Sequence, residues 1–210
     1  MLSNPKHFAH KKRIPAAKEF LKENFPMKTP IISSLAILAL GLHSFAQAPV
    51  TAASIKLGKV MPAVVKSPEY NLSSGPQKRS KPADWLEMEI DFETKVDIED
   101  LTFKFTVLFE KKLLDGEVTY TNISKGKDHY AIMYVSPKAI DKLTVGKPMT
   151  AGSIENVWVE VSRSGQVLGK DQHKTGPVPN AQHIPGLVLN KDETPYAPLW
   201  SDRYEAIKKR

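Results

Sequence analysis

Leu86-Glu87-Met88-Glu89-Ile90-Asp91-Phe92-Glu93 alternates apolar and acidic residues without a fault. Successive side chains of a strand point to opposite sides, so this period of two describes a strand with one dry face and one wet face. Such one-sided burial is the habit of antiparallel sheets. Four carboxylates on one face invite a calcium or acid–base reading. Neighbours at i and i+2 along a strand sit about 7 Å apart and need not share an ion. A solvated acidic face is therefore expected.

The same alternation extends in both directions along the chain. Upstream, Ile55–Val65 reads as a first strand whose phase breaks at Gly58, a bulge, and whose Pro62 confines it to a sheet edge. Residues 66–83, rich in Ser, Pro, Gly and Lys, form a long loop; its Lys78-Arg79-Ser80-Lys81 run is expected to be solvated. Downstream, Leu101–Phe109 alternates again. Asp115-Gly116 is a strong turn pair, with Glu117–Ile123 as the strand after it. Lys125–Asp128 turns the chain into His129–Val135, which Ser136-Pro137 closes, and 138–143 can form a helical turn. Ile154–Val161 is a strand, and Arg163–Gln166 turns it into Val167–Asp171.

Roughly seven strands with regularly spaced turns predict an all-β fold: an immunoglobulin-like antiparallel β-sandwich over residues 47–173. The inter-sheet cysteine pair and a tyrosine corner are missing, which leaves a small barrel as the alternative architecture. From Lys174 the chain becomes an extended, Pro-rich C-terminal tail (174–210), with prolines at 177, 179, 185, 195 and 198. Ser201 can cap a short terminal helix. Tyr196, Trp200, Tyr204 and Ile207 form an apolar set that either docks the tail on the sandwich or is held out for a partner.

Ahead of the domain, Met27-Lys28 precedes an apolar run, Ile31–Leu42, and then small residues. This is the layout of a secretory signal peptide, expected over 27–46, with cleavage after Ala46 and Gln47 as the new terminus. The run is shorter than the ~20 apolar residues a bilayer span needs, so no stable transmembrane anchor is expected after cleavage. A retained N-terminal anchor is the alternative. Residues 1–26 read as an upstream extension or a long charged n-region.

The formal charge of +7 suggests a nucleic-acid or anionic-surface binder, but its position corrects that reading. Residues 1–46 hold seven of the 30 Lys/Arg and two of the 23 Asp/Glu, a net of +5. That leaves 23 basic against 21 acidic residues, +2, in 47–210. No nucleic-acid partner is expected. With no cysteine, the exported domain has no disulfide, thiolate metal site or cysteine nucleophile.

No motif for catalysis stands out. Asp171, His173 and His183 match no zinc spacing. Ser164-Gly165 lacks the flanks of a nucleophile elbow, and no P-loop or dinucleotide glycine pattern is present. No catalytic residue, cofactor or metal is expected.

Four segments together resemble a known family: Lys81–Phe92, Gly116–Ile123, Lys127–Pro137 and Ile154–Val157. They are similar to the exported immunoglobulin-like proteins encoded in the type IV pilus-like gene cluster of Akkermansia-type Verrucomicrobia. The resemblance covers roughly residues 54–172. It implies a non-enzymatic envelope protein that acts through protein–protein contacts. The partners it implies are other envelope or pilus-cluster proteins, or a second copy.

A true pilin keeps a long apolar shaft helix, and the short run here does not supply one, which points to an accessory component. Candidate contact residues are Ile55, Leu57 and Val60 on the edge strand and Tyr196, Trp200 and Tyr204 on the tail. The expected location is periplasm, outer membrane surface or extracellular space. The competing functional reading is a carbohydrate-binding adhesin-like module in which Trp85, Trp158 or Trp200 stacks on sugar. A hydrolase accessory domain is the third.

Overall fold

Among the described residues, ten strands and one α-helix follow in order. They are β1 (Ile55–Lys66), β2 (Asp84–Thr94), β3 (Ile98–Phe109), β4 (Lys112–Ile123) and β5 (Gly126–Val135). Then come α1 (Pro137–Thr144), β6 (Ile154–Arg163) and β7 (Gln166–Gln172). The short tail strands are β8 (His183–Pro185), β9 (Val188–Asn190) and β10 (Ala206–Ile207). The computed structural model describes residues 49–70 and 81–209. The expected extension (1–26) and signal peptide (27–46) lie outside the described residues.

The strands form two sheets. One runs β1-β2-β5-β9; the other runs β10-β4-β3-β6-β7, with β8 also on β4. The seven principal strands make the expected sandwich. It differs from the constant-type immunoglobulin arrangement because β4 pairs with β3 instead of β5. Leu86, Met88, Ile90 and Phe92 of β2 and Leu101, Phe103, Phe105 and Val107 of β3 are buried in one shared core. Phe92 lies 4.9 Å from Phe103 between ring centroids. Each such side chain contributes about 1.5–3 kcal/mol by leaving water, which is how a chain without disulfides holds together.

The phase break in β1 is real: its register against β2 shifts between Leu57 and Val60. Gly58 lies inside this bulge, with the end of the exposed Asp91 side chain over the position a Cβ would take. Ser136 caps α1, accepting from the Ala139 amide at 3.3 Å, with Pro137 at the first helical position.

Two expectations are corrected here. Asp115-Gly116 is not a turn; β4 runs straight through it. The reversal after β3 is made at Glu110 and Lys111, which take positive φ of 47° and 60°. Neither is a residue that favours this conformation. Contacts from the start of β6 hold the turn: Lys111 donates its amide to Glu155 Oε1 at 2.8 Å, and Glu110 donates to the Ser153 carbonyl at 3.3 Å. The second correction concerns the terminal helix. Ser201 starts none; the tail's helical turns are 3-10, at Lys191–Glu193 and Ala197–Trp200, and the chain then pairs as β10.

Candidate functional site

The tail decides which surfaces of the sandwich remain open. On the outer side of the first sheet, β2 presents Trp85, Glu87 and Glu89, and β5 presents Tyr130 and Tyr134. Tyr196 stacks on Tyr134 with 4.6 Å between centroids and 3° between planes, and it meets Trp85 edge-on at 5.6 Å. Its hydroxyl donates to the Lys66 carbonyl at 2.7 Å. The Arg203 guanidinium sits 3.9 Å above the Tyr130 ring and donates to Glu89 Oε1 at 2.9 Å. Tyr204 donates its hydroxyl to the other Glu89 oxygen.

The acidic face is therefore not the solvated surface that alternation predicts. Only its far end is open: Asp91 is exposed, and Glu93 pairs with Lys56 at 3.2 Å. Burial pushes the Glu87 carboxyl above its ordinary value, and Glu89 adds to the rise. Burial likewise pushes the Tyr196 hydroxyl up to about 12.

The tail also closes the seam between β4 and β5, where the chain crosses from one sheet to the other. β8 lies parallel to β4 at Leu113–Asp115, β9 lies antiparallel to β5 at Met133–Val135, and β10 pairs with Thr121 and Tyr120. Gly116 makes room for this seam, since a Cβ there would meet Val188 Cβ at 2.5 Å. The Asp-Gly pair thus marks a close approach instead of a turn. Buried Tyr120 crosses the seam, its hydroxyl accepting from the Ile132 amide at 3.1 Å. Two histidine–carboxylate pairs join tail to body: His129 Nδ1 to Glu205 Oε1 at 3.0 Å, and His183 Nδ1 to Asp115 Oδ2 at 2.5 Å.

On the opposite side, β1 is a partly blunted edge. Register is continuous from Val60 to Lys66, so residues 60, 62, 64 and 66 turn their backbone groups away from β2. The Val60 amide donates to Asp171 Oδ2 of β7 at 2.9 Å, Pro62 has no donor, and the Lys66 carbonyl is taken by Tyr196. Such devices discourage unplanned strand pairing. Beside them, Met61 and Val64 are exposed, at 60% and 44%.

The six residues expected to make contacts are thus dispersed. Ile55, Val60, Tyr196 and Tyr204 are buried within this chain's own sandwich, and Leu57 is half-buried against Gly169. Trp200 ends the Ala197–Trp200 turn.

The outer side of the second sheet stays open. Lys104 and Thr106 of β3, Trp158 and Glu160 of β6, and Lys170 and Gln172 of β7 floor a groove of about 530 Å³, with Val178 and His183 on its tail-side wall. The wall is pinned to β6. Asn156 both donates to the Lys174 carbonyl (2.7 Å) and accepts from its amide (2.8 Å), and the Trp158 indole donates to the Gly176 carbonyl at 2.8 Å. Sequence reading named Trp158 but missed the groove, which depends on register across three strands and on a tail segment some fifteen residues further on. The sign available in the sequence was the outward phase of Trp158 and Glu160 around buried Val159. Among the described residues, no group of three or more His, Asp or Glu is placed to hold a metal ion.

A family model matches residues 46–210. The chain belongs to that family. Among solved structures, a crystal structure from Akkermansia muciniphila matches with a TM-score of 0.66 and 25% identity, covering 74% of this chain and 93% of that one. No curated protein matches in sequence. The family match takes in the tail as well as the sandwich, in keeping with a tail that completes both sheets.

Proposed function

We propose that this chain is an exported, non-enzymatic envelope protein that works through protein–protein contacts in a type IV pilus-like system. The observation that carries the reading is kinship: a family match over the whole sandwich and tail, and a solved Akkermansia relative that it matches over most of both chains. The pilus-like setting comes from the resemblance of residues 81–92, 116–123, 127–137 and 154–157 to the cluster-encoded proteins.

The contact surface that suits this role is the second half of β1. Met61 and Val64 stand exposed beside an edge whose flanking backbone groups are already engaged, so a partner would meet side chains more than a free strand template. Crosslinking in the native envelope followed by capture of this chain tests the proposal. Proteins of the pilus-like cluster are expected among the crosslinked partners, and Met61→Asp with Val64→Asp should remove them. Recovery of unrelated hydrolases alone would overturn the reading.

A further inference from the structure

The outer edge of β1 carries a pattern of hydrogen-bonding groups that is its own complement. Register with β2 turns residues 60, 62, 64 and 66 outward. The Val60 amide is held by Asp171, Pro62 has no donor, and the Lys66 carbonyl is held by Tyr196 from the outer face of the sheet. From Pro62 to Lys66, the outward groups left open among the described residues are the Pro62 carbonyl, both backbone groups of Val64 and the Lys66 amide. An ordinary strand brings a donor and an acceptor at every second residue, so it does not match this set.

A second copy of β1 matches it in one register. Laid antiparallel with Val64 facing Val64, the two valines exchange both of their hydrogen bonds. Each Lys66 amide then donates to the Pro62 carbonyl of the other copy. The donor that Pro62 lacks falls opposite the Lys66 carbonyl, which Tyr196 already satisfies. Four hydrogen bonds form by this pattern, and no outward group from 62 to 66 is left over. Centring the pair on Ala63 instead sets both Val64 carbonyls opposite a proline nitrogen.

The side chains agree with this register. Val64 shares the inner side of β1 with buried Val60 and lies beside buried Leu86, yet it is exposed; on the two-fold axis it meets its own copy. On the outer side, Ala63 faces Val65 of the other copy and exposed Met61 faces Ser67. Lys66, the one charged residue from 60 to 66, pairs with Asp84 of its own chain at 2.6 Å. The two Lys66 residues stand about 14 Å apart, beyond a Debye length of ~8 Å.

We infer that this edge pairs with a second copy of the chain, joining the β1-β2-β5-β9 sheet of each into one continuous sheet across a two-fold axis. The inference rests on the reading of β1 as the contact surface and names its first occupant. The ladder is short, so the side chains beside it supply most of the contact. The blunting devices at Val60, Pro62 and Lys66 thus discourage foreign strands and select this one.

Sedimentation velocity of the full chain from about 1 to 300 μM tests the pairing, with a reversible monomer–dimer equilibrium expected. Val64→Pro removes two of the four hydrogen bonds at an edge position where proline costs the sheet none. It should weaken the dimer at least about tenfold and keep the melting temperature. Register is tested by oxidising an equal mixture of Ala63→Cys and Val65→Cys chains, which hold no other cysteine. Crosslinks between the two variants should well exceed the half share that random pairing gives, because 63 faces 65. A monomer at every concentration, a dimer unchanged by Val64→Pro, or a between-variant share of half or less would each overturn the assignment. Cluster proteins missing from the native-envelope capture, with the dimer intact, would strike the pilus-like setting and leave this pairing standing.

Discussion

The two outer faces of the sandwich carry the same kind of sequence and have opposite fates. On β2, Glu87 and Glu89 alternate with core residues; on β6, Trp158 and Glu160 do the same. The first face is covered: Tyr196, Arg203 and Tyr204 lie on it, and Glu89 accepts from two of them. The second stays open as a groove, with Lys104 of β3 set between Glu117 of β4 and Glu160 of β6. Alternation tells which side of a strand meets the core. It does not tell whether the other side meets water or a later segment of the same chain.

Changes at the covered face should cost stability, and changes at the open face should not. The largest effect is expected from truncation after Thr194, which removes Tyr196, Arg203, Tyr204 and β10 together. A loss of about 5 kcal/mol or more is expected in denaturant melts, given that truncating one buried aromatic costs about 3–5 kcal/mol. Tyr196→Ala alone should cost about 3 kcal/mol, through the stack on Tyr134 and the edge contact with Trp85. If either change left stability untouched, the tail would not be part of the fold.

Gly116→Ala comes next. Its Cβ would strike Val188, so β9 must shift, at about 1–3 kcal/mol, and the shift should show in the amide chemical shifts of Val188–Asn190. Glu87→Gln has the opposite sign. A carboxyl raised by burial contributes stability while protonated and loses it as pH rises through the elevated value. The neutral variant should therefore melt higher than the parent near neutral pH and match it near about pH 4. Lys104→Gln on the open face should change stability by no more than about 0.5 kcal/mol.

Much of the sandwich was legible because its cues are local. The fault-free alternation of 86–93, Gly58 as a bulge, Ser164-Gly165 as a turn with φ of 49° and 81°, and Ser136-Pro137 as a strand end with a helical turn after it all act within a few residues. The misreadings share one cause. Asp115-Gly116 has the composition of a turn, yet Gly116 is small because Val188 needs the space, a contact seventy residues distant. Glu110-Lys111 has no turn composition, yet it turns because Ser153 and Glu155 hold it. The acidic face of β2 is half-covered at Glu89 because Arg203 and Tyr204 reach it from the end of the chain. The groove was hidden for the same reason, since Lys104, Trp158 and His183 meet only through register and tail path. The apolar set on the tail was visible, but the place where Tyr196 and Tyr204 dock was not.

The central claim is that the tail is a structural part of both sheets, leaving the second sheet's outer face as the open one. Native-state hydrogen exchange tests this most directly. The Lys208 amide, which donates to the Thr119 carbonyl at 2.8 Å, and the amides by which β9 pairs with β5 should exchange with protection approaching that of β2. Exchange of these tail amides at the rate of a free peptide, while β2 stays protected, would contradict the account.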